Sequence, residues 1–169
     1  AKRFLTDTSP KPSRVLRMPP FSASRRASGG NSRAHSAAMA IGAKMAQPEK
    51  FCLNVMGDGA FGMSGLDLET AVRSGAAITT VLLNNSDMAT YSGPTRGTIG
   101  EEARQQYGVS KMQGDYAKIA EGMGAVGIKV TRAAEIGPAL KQAQRLNAEG
   151  KTVLIEVIAN VEDRRSRFK

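Results

Sequence analysis

The sequence is poor in the residues that would build a disulfide scaffold or a histidine-based site. It contains one cysteine, Cys52, and one histidine, His35, among 169 residues. A single cysteine cannot form an internal disulfide, and Cys52 lies in the apolar run 51–56, where we expect a buried, unreactive thiol. His35 stands at the start of a predicted helix, which favours a surface or capping role over a catalytic one.

Long apolar runs are also missing from the chain. No stretch approaches the roughly 20 consecutive apolar residues that a membrane-spanning helix needs. Apolar residues make up 41% of the sequence and charged residues 23%, both within the range of globular proteins. We therefore expect a soluble, cytoplasmic protein without a membrane partner, and the length suits a single domain.

Acidic residues are almost absent from the first 35 positions. That segment holds eight bases against Asp7 alone, a net charge of +7, whereas residues 36–169 have a net charge of +2. Because the body of the chain is close to neutral, the overall charge of +9 does not indicate a nucleic-acid partner. The Ser/Pro/Arg-rich residues 1–34 are predicted to be a poorly ordered extension, with an organelle transit peptide as the less favoured alternative.

The pattern changes at residue 35, and residues 35–162 are predicted to form the folded domain, followed by a charged tail at 163–169. Continuous apolar runs at 51–56, 77–83 and 152–158 predict buried parallel strands. The other predicted elements are a strand at 126–130 and helices at 35–46, 64–74, 101–107, 115–123 and 133–147. Asp115 and Thr131 are predicted N-caps, and Gly150 is predicted to close the last helix. The order predicts an α/β, doubly wound, mostly parallel sheet with helices on both faces.

Two short polar motifs follow two of the predicted strands. Gly57-Asp58-Gly59 ends the first strand, and Asn84-Asn85 ends the next, so that Asn85 follows Asp58 by 27 positions. Loops at the carboxyl ends of neighbouring parallel strands lie side by side, so the two motifs are expected to share one crevice. Either motif alone is weak. Both at one fixed separation would arise by chance about once per million start positions.

The residue types in this pair suit a metal-bridged diphosphate. Mg²⁺ prefers oxygen ligands and combines one or two protein oxygens with phosphate oxygens and water. Asp58 offers a carboxylate and Asn85 an amide oxygen. The glycines beside Asp58 let the backbone approach a phosphate, so the amides of Gly59 and Ala60 are expected to donate to it, aided by the N-terminus of the next helix.

Three segments of the chain resemble a known family. GDGAFGMSGLDLETAVRSGAAITTVLLNNS at 57–86, DYAKIAEGMGA at 115–125 and TVLIEVIA at 152–159 are similar to the C-terminal cofactor-binding domain of thiamine-diphosphate-dependent enzymes. The similarity is strongest to the acetolactate synthase large subunit and covers roughly residues 36–160. It implies the thiamine-diphosphate-binding fold, with thiamine diphosphate and Mg²⁺ as cofactors.

The resemblance also implies roles for individual residues. Asp58 and Asn85 would bind the metal through their side chains, and Asp87 through its backbone carbonyl. The residues implied to contact the cofactor are Gly57, Asp58, Gly59, Ala60, Asn85, Asp87 and Met88. For Met88, packing is as good an interpretation as contact.

The family's chemistry implies that this chain is part of a larger active site. The cofactor supplies a thiazolium electron sink for reactions of 2-oxo acids such as pyruvate, by a carboligase or a decarboxylase. In this family a glutamate that activates the cofactor lies on a separate pyrimidine-binding domain or subunit, so no catalytic residue is assigned here. The chain is expected to be inactive without that partner, and to act in a homo- or hetero-oligomer. The alternative is a non-catalytic fragment or assembly subunit that retains the fold.

Overall fold

The computed structural model describes residues 36–87, 101–108 and 111–161 of the chain. The predicted extension at 1–34, His35, Met88 and the predicted tail at 163–169 lie outside these ranges. The proposed domain boundaries therefore stay predictions.

The described part of the chain is built around a sheet of four strands that are all parallel. The strands are β1 (Leu53–Gly57), β2 (Thr79–Asn84), β3 (Val126–Val130) and β4 (Val153–Ile158). Their order across the sheet is β1-β2-β4-β3. The last strand in sequence is therefore inserted beside the second, and β1 and β3 form the two edges.

Six α-helices connect and flank these strands in the described ranges. They are α1 (Ser36–Ala46), α2 (Asp58–Ser64), α3 (Asp67–Arg73), α4 (Glu101–Tyr107), α5 (Tyr116–Gly122) and α6 (Ile136–Ala148), with a short 3-10 helix at Ala133–Glu135. None of the helices in these ranges is long and apolar enough to cross a membrane.

Alternating side chains of β4 show that helices cover both faces of the sheet. Leu154 packs in one cluster with residues of α2, α3 and α5, among them Phe61 and Tyr116. Val153, Ile155 and Val157 pack in a second cluster against Ala139 and Ala143 of α6. Since successive strand residues point to opposite faces, the sheet has an α5 face and an α6 face. The predicted α/β fold with a parallel sheet is confirmed.

The helix predicted at 64–74 is confirmed as α3 (Asp67–Arg73), but the segment before it was predicted wrongly. A Gly-Asp-Gly turn was expected there, whereas β1 passes directly into α2 at Asp58. The helical segment is interrupted at Gly65-Leu66, where backbone hydrogen bonds shorten to i→i−3, from Leu68 N to Gly65 O and from Glu69 N to Leu66 O. A Cβ at position 65 would collide with Phe61, so only glycine allows this close turn.

Smaller corrections concern caps and burial. Thr131 does not cap the last helix through its side chain. Instead the Glu135 carboxylate accepts hydrogen bonds from the backbone N–H groups of Thr131 and Arg132, and α6 begins at Ile136. Cys52 is only half-buried. The cap at Asp115, which accepts from Lys118 N, and the positive φ of Gly150 after α6 are confirmed.

Candidate functional site

The two sequence motifs meet at the carboxyl edge of the sheet. Strands β1 and β2 are neighbours, and Gly57 lies directly beside Leu83. The next residue of each chain segment is Asp58 on one side and Asn84 on the other, with Asn85 one position further. The predicted adjacency of the motifs is therefore confirmed, and their predicted roles can be judged from the contacts of each side chain.

The Asp58 side chain is buried and only partly satisfied. It is 3% exposed and stands at the first position of α2. Its Oδ1 atom accepts a hydrogen bond of 2.8 Å from Gly59 N, while its Oδ2 atom is buried with no hydrogen-bond partner. A buried carboxylate oxygen without a donor is unfavourable, and a cation is the natural partner for it.

The residues expected to contact a diphosphate lie beside Asp58. Gly57 ends β1, and Gly59 and Ala60 lie in the first turn of α2, where backbone N–H groups have no partner within the helix. The Gly59 amide is already bonded to Asp58 Oδ1. Of the two amides expected to donate to a phosphate, that of Ala60 is therefore the better candidate.

The loop after β2 is folded on itself by short side-chain contacts. Asn85 Oδ1 accepts from Asp87 N at 3.1 Å, and Ser86 between them has a φ of +56°. Ser86 is the one non-glycine residue with positive φ in the described ranges. Ser86 therefore has a backbone conformation that L-residues rarely adopt, and this conformation sets the relative orientation of Asn85 and Asp87.

Asp87 is held by a neighbouring segment. Its Oδ2 atom lies 3.2 Å from Lys111 Nζ, while its Oδ1 atom is buried without a partner. Asp87 and Lys111 form an isolated antiparallel bridge, in which Met112 N donates to Ser86 O at 3.1 Å. This hydrogen bond uses the carbonyl of Ser86 and not that of Asp87. This geometry is compatible with the ligand role that the resemblance implies for the Asp87 carbonyl.

Sequence reasoning missed Glu156, which is the charged residue at the centre of this region. It lies on β4 and is 0% exposed. Its Oε1 atom accepts from Asn84 Nδ2 at 2.7 Å, its Oε2 atom accepts from Ala117 N at 3.0 Å, and Lys129 Nζ lies 3.7 Å from Oε2. One acid inside an otherwise apolar strand, VLIEVI, was the signal available in the sequence.

Tyr116 lies close enough to both Asp58 and Glu156 to be affected by their charges. Its ring packs edge-on against Phe61, with centroids 5.4 Å apart. Burial raises the pKa of the Tyr116 hydroxyl, and the negative charges of Asp58 and Glu156 raise it further. The hydroxyl therefore stays protonated beside the site at neutral pH.

The available donors suit a hard cation that brings other ligands with it. Within the described ranges, no three His, Cys, Asp or Glu side chains gather closely enough to hold a metal ion by themselves. The oxygens of Asp58, Asn85 and Asp87 are hard ligands, and Mg²⁺ completes its octahedron with water and phosphate oxygens. The residues present therefore fit a Mg²⁺–diphosphate group better than a dedicated metal site.

Comparison with protein-family models supplies the decisive match. Residues 17–157 match the thiamine pyrophosphate enzyme, C-terminal TPP binding domain. This chain belongs to that family. The match begins inside the segment predicted to be an extension, so the family's similarity reaches further towards the N-terminus than the three quoted segments do.

Curated relatives agree with the family assignment. YdaP of Bacillus subtilis, whose name describes it as thiamine pyrophosphate-containing, is 40% identical over 124 residues, which are 72% of this chain and 20% of YdaP. The acetolactate synthase large subunit of Corynebacterium glutamicum is 34% identical over 125 residues, 70% of this chain and 19% of that protein. The chain thus spans about a fifth of the length of the curated relatives it matches.

A solved structure agrees with the fold. The thiamine diphosphate-dependent 4-hydroxybenzoylformate decarboxylase of Rhodococcus jostii RHA1 superposes with a TM-score of 0.61 at 23% identity. The superposition covers 78% of this chain and 24% of the decarboxylase. The likeness shows that the parallel sheet and its helices have the arrangement found in a thiamine-diphosphate enzyme.

Proposed function

We propose that this chain binds the diphosphate of thiamine diphosphate through Mg²⁺, with Asp58, Asn85 and the backbone carbonyl of Asp87 as the protein ligands. The observation that supports the proposal most directly is Asp58 Oδ2, a buried carboxylate oxygen without a partner beside the Asn85 loop. Asn85 Oδ1 already accepts from Asp87 N, but an amide oxygen has a second lone pair for a metal.

The diphosphate itself would lie against the backbone at the start of α2. Gly57, Gly59 and Ala60 have little or no side chain, which lets phosphate oxygens approach the main chain. The Met88 side chain is a further candidate contact from the sequence. In this proposal the chain's own residues hold and orient the diphosphate, while the bound cofactor supplies the thiazolium electron sink.

We propose further that the chain forms the C-terminal part of an acetolactate-synthase-like carboligase or a 2-oxo acid decarboxylase, a transferase or a lyase acting on a 2-oxo acid such as pyruvate. Support comes from the names of relatives, which include acetolactate synthases and a sulfoacetaldehyde acetyltransferase of Alcaligenes xylosoxydans that is 33% identical over 124 residues. Because the chain spans about a fifth of such proteins, a pyrimidine-binding domain or subunit is the proposed partner. An oligomer and a cytoplasmic location stay predictions.

Titration calorimetry of the 169-residue chain with thiamine diphosphate tests the binding proposal. We expect weak binding that requires Mg²⁺ and disappears when the metal is chelated, because the diphosphate contacts are made through the ion. Binding that is indifferent to chelation would contradict the proposed ligand set.

A supplied pyrimidine-binding domain from a relative tests the partner proposal. We expect binding to tighten when that domain is added, and we expect no decarboxylation of pyruvate by the pure chain alone. Turnover by the chain without a partner would refute the proposal that half of the active site lies elsewhere.

A further inference from the structure

We propose that Glu156 is a positioning residue for the candidate Mg²⁺ site, acting through Asn84 on the loop that presents Asn85 and Asp87. This inference rests on the proposed function above, and it assigns a role to two residues that neither contact the cofactor nor bind the metal. A chain of hydrogen bonds leads from Glu156 in the sheet to that loop.

The first link is the contact between neighbouring strands. Glu156 of β4 lies beside Leu82 in the register of β2, and its Oε1 atom reaches Asn84 Nδ2 at the end of that strand, at 2.7 Å. Asn84 is 6% exposed and Glu156 is 0% exposed. Both side chains are therefore shielded from water, so Asn84 Nδ2 and Glu156 Oε1 depend on each other for a hydrogen-bond partner.

The second link joins Asn84 to the turn. Asn84 Oδ1 accepts from Ser86 N at 3.1 Å and from Ser86 Oγ at 3.2 Å. Glu156 determines which end of the Asn84 amide faces the loop, because its carboxylate can only accept and so selects the NH₂ group. The amide oxygen is thereby directed at Ser86 and holds that residue at its positive φ.

The third link joins the turn to the candidate ligands. Ser86 stands between Asn85 and Asp87, and Asn85 Oδ1 accepts from Asp87 N across it. A change in the φ of Ser86 would redirect both neighbours at once. The orientation of Asn85 and Asp87 therefore depends on a carboxylate that lies on a different strand, far from both residues in sequence.

Glu156 has a structural support of its own that fixes its position. Its Oε2 atom accepts from Ala117 N at the start of α5, and Lys129 lies between Glu156 and Asp115. Helix α5 approaches the sheet this closely because position 127 of β3 is a glycine, where a Cβ would collide with the backbone of Ala117. A buried charge is costly unless it is paired and hydrogen-bonded, and an apolar residue would fill this strand position more cheaply.

A swap of the two side chains tests the proposal. In Glu156→Gln, an NH₂ group replaces one of the two carboxylate oxygens, so either Asn84 Nδ2 or Ala117 N faces another donor. In Asn84→Asp, two carboxylates oppose each other. In the double variant Asn84→Asp with Glu156→Gln, the glutamine oxygen accepts from Ala117 N, its NH₂ group donates to the aspartate, and the second aspartate oxygen still accepts from Ser86. The double variant also keeps the net charge of the pair.

Two measurements separate positioning from stability. The first is Mg²⁺-dependent binding of thiamine diphosphate by calorimetry under conditions where each variant is folded. We expect each single variant to weaken binding by about 10–100-fold, as for partners that orient metal ligands, and the double variant to return to within about threefold of the wild type. The second is amide hydrogen exchange at Ser86 and Asp87 without cofactor, which should accelerate in the single variants and recover in the double variant.

Thr79→Val is the matched control. It breaks a buried 2.8 Å hydrogen bond of the same strand, from Thr79 Oγ1 to Asn147 Oδ1, at the opposite end and on the α6 face. It should lower the free energy of unfolding while leaving cofactor binding and exchange at Ser86 unchanged. If Glu156→Gln does not fold, Asn84→Ala replaces it, since alanine has neither the NH₂ group nor the side-chain oxygen and adds no buried charge.

The outcomes distinguish the two proposals. Single variants that bind the cofactor like the wild type and exchange Ser86 at the wild-type rate overturn the positioning role. So does a double variant that folds but stays as weak as the single variants. If the wild type shows no Mg²⁺-dependent binding, the proposed function fails, while exchange at Ser86 and Asp87 still decides whether Glu156 orders the loop.

Discussion

The two ends of β2 both contain buried polar side chains, but they use their hydrogen-bonding groups differently. At the amino end, Asn147 Oδ1 accepts from Thr79 Oγ1, and Asn147 Nδ2 donates to the carbonyls of Ile78 and Lys151. That network is closed. At the carboxyl end, the contacts of Asn84 lead to a loop beside which Asp58 Oδ2 and Asp87 Oδ1 remain unpaired.

A structural polar network can be distinguished from a functional one by whether every buried polar group in it has a hydrogen-bond partner. A closed network satisfies every group that it buries and contributes to stability without needing a ligand. An open network retains oxygens whose unfavourable burial a cation can offset. Mutations at the amino end of β2 are therefore expected to lower the free energy of unfolding. Mutations at the carboxyl end are expected to weaken cofactor binding.

The largest expected effect is at Asp58. In Asp58→Asn, the only proposed charged ligand of the metal is lost, so Mg²⁺-dependent cofactor binding should weaken by more than about 100-fold, beyond the range seen for outer-shell partners. The free energy of unfolding without Mg²⁺ should stay the same or rise, because a buried charge has been removed. Calorimetry and urea denaturation measure the two quantities. Unchanged binding would remove Asp58 from the site.

Asn147→Ala should give the opposite pattern. It leaves the Thr79 hydroxyl and the carbonyls of Ile78 and Lys151 without their partner, so the free energy of unfolding should fall by about 1–3 kcal/mol. Cofactor binding by the folded variant should not change. If the variant binds the cofactor more weakly than its unfolded fraction accounts for, the two ends of β2 are coupled.

Asn85→Ala should have a smaller effect on binding than Asp58→Asn. The lost ligand is neutral, and water can take its place in the octahedron, so we expect a loss of about tenfold. Titration of Mg²⁺ at fixed cofactor concentration measures it directly. A loss as large as that of Asp58→Asn would mean that Asn85 has a further role, such as shaping the loop through its bond to Asp87 N.

Glu69→Ala should change almost nothing. Glu69 lies on α3, the helix that follows α2, and is exposed, with its carboxylate 3.0 Å from Arg73 Nε in an i,i+4 ion pair. Such exposed pairs contribute about 0.3–0.5 kcal/mol. Denaturation should show a change within that range, and calorimetry should show none. A clear binding defect would extend the site along α3, outside the region that this comparison defines.

Much of the fold could be predicted from local patterns. The apolar run that became β4 is continuous because both faces of that inner strand are buried, whereas the edge strand β1 exposes Leu53 and Val55 on one face. Asp115 and Gly150 mark helix ends by their own chemistry. The interruption at Gly65 could not be predicted in the same way. It depends on the close approach of position 65 to the ring and the carbonyl oxygen of Phe61, and that ring packs edge-on against Tyr116 from a distant part of the chain.

The sequence by itself determined the family, the parallel sheet and the two motifs at its carboxyl edge, because residue types and their spacing are local properties of the chain. Only the tertiary structure decided that Asp58 is buried with one unpaired oxygen and that Glu156 holds Asn84. Those contacts depend on the order β1-β2-β4-β3, which brings residues 72 positions apart to within 2.7 Å. The hydrophobic periodicity of a sequence does not predict which strands will be neighbours in the sheet. The partner of a buried acid such as Glu156 depends on the neighbouring strand, which here is β2.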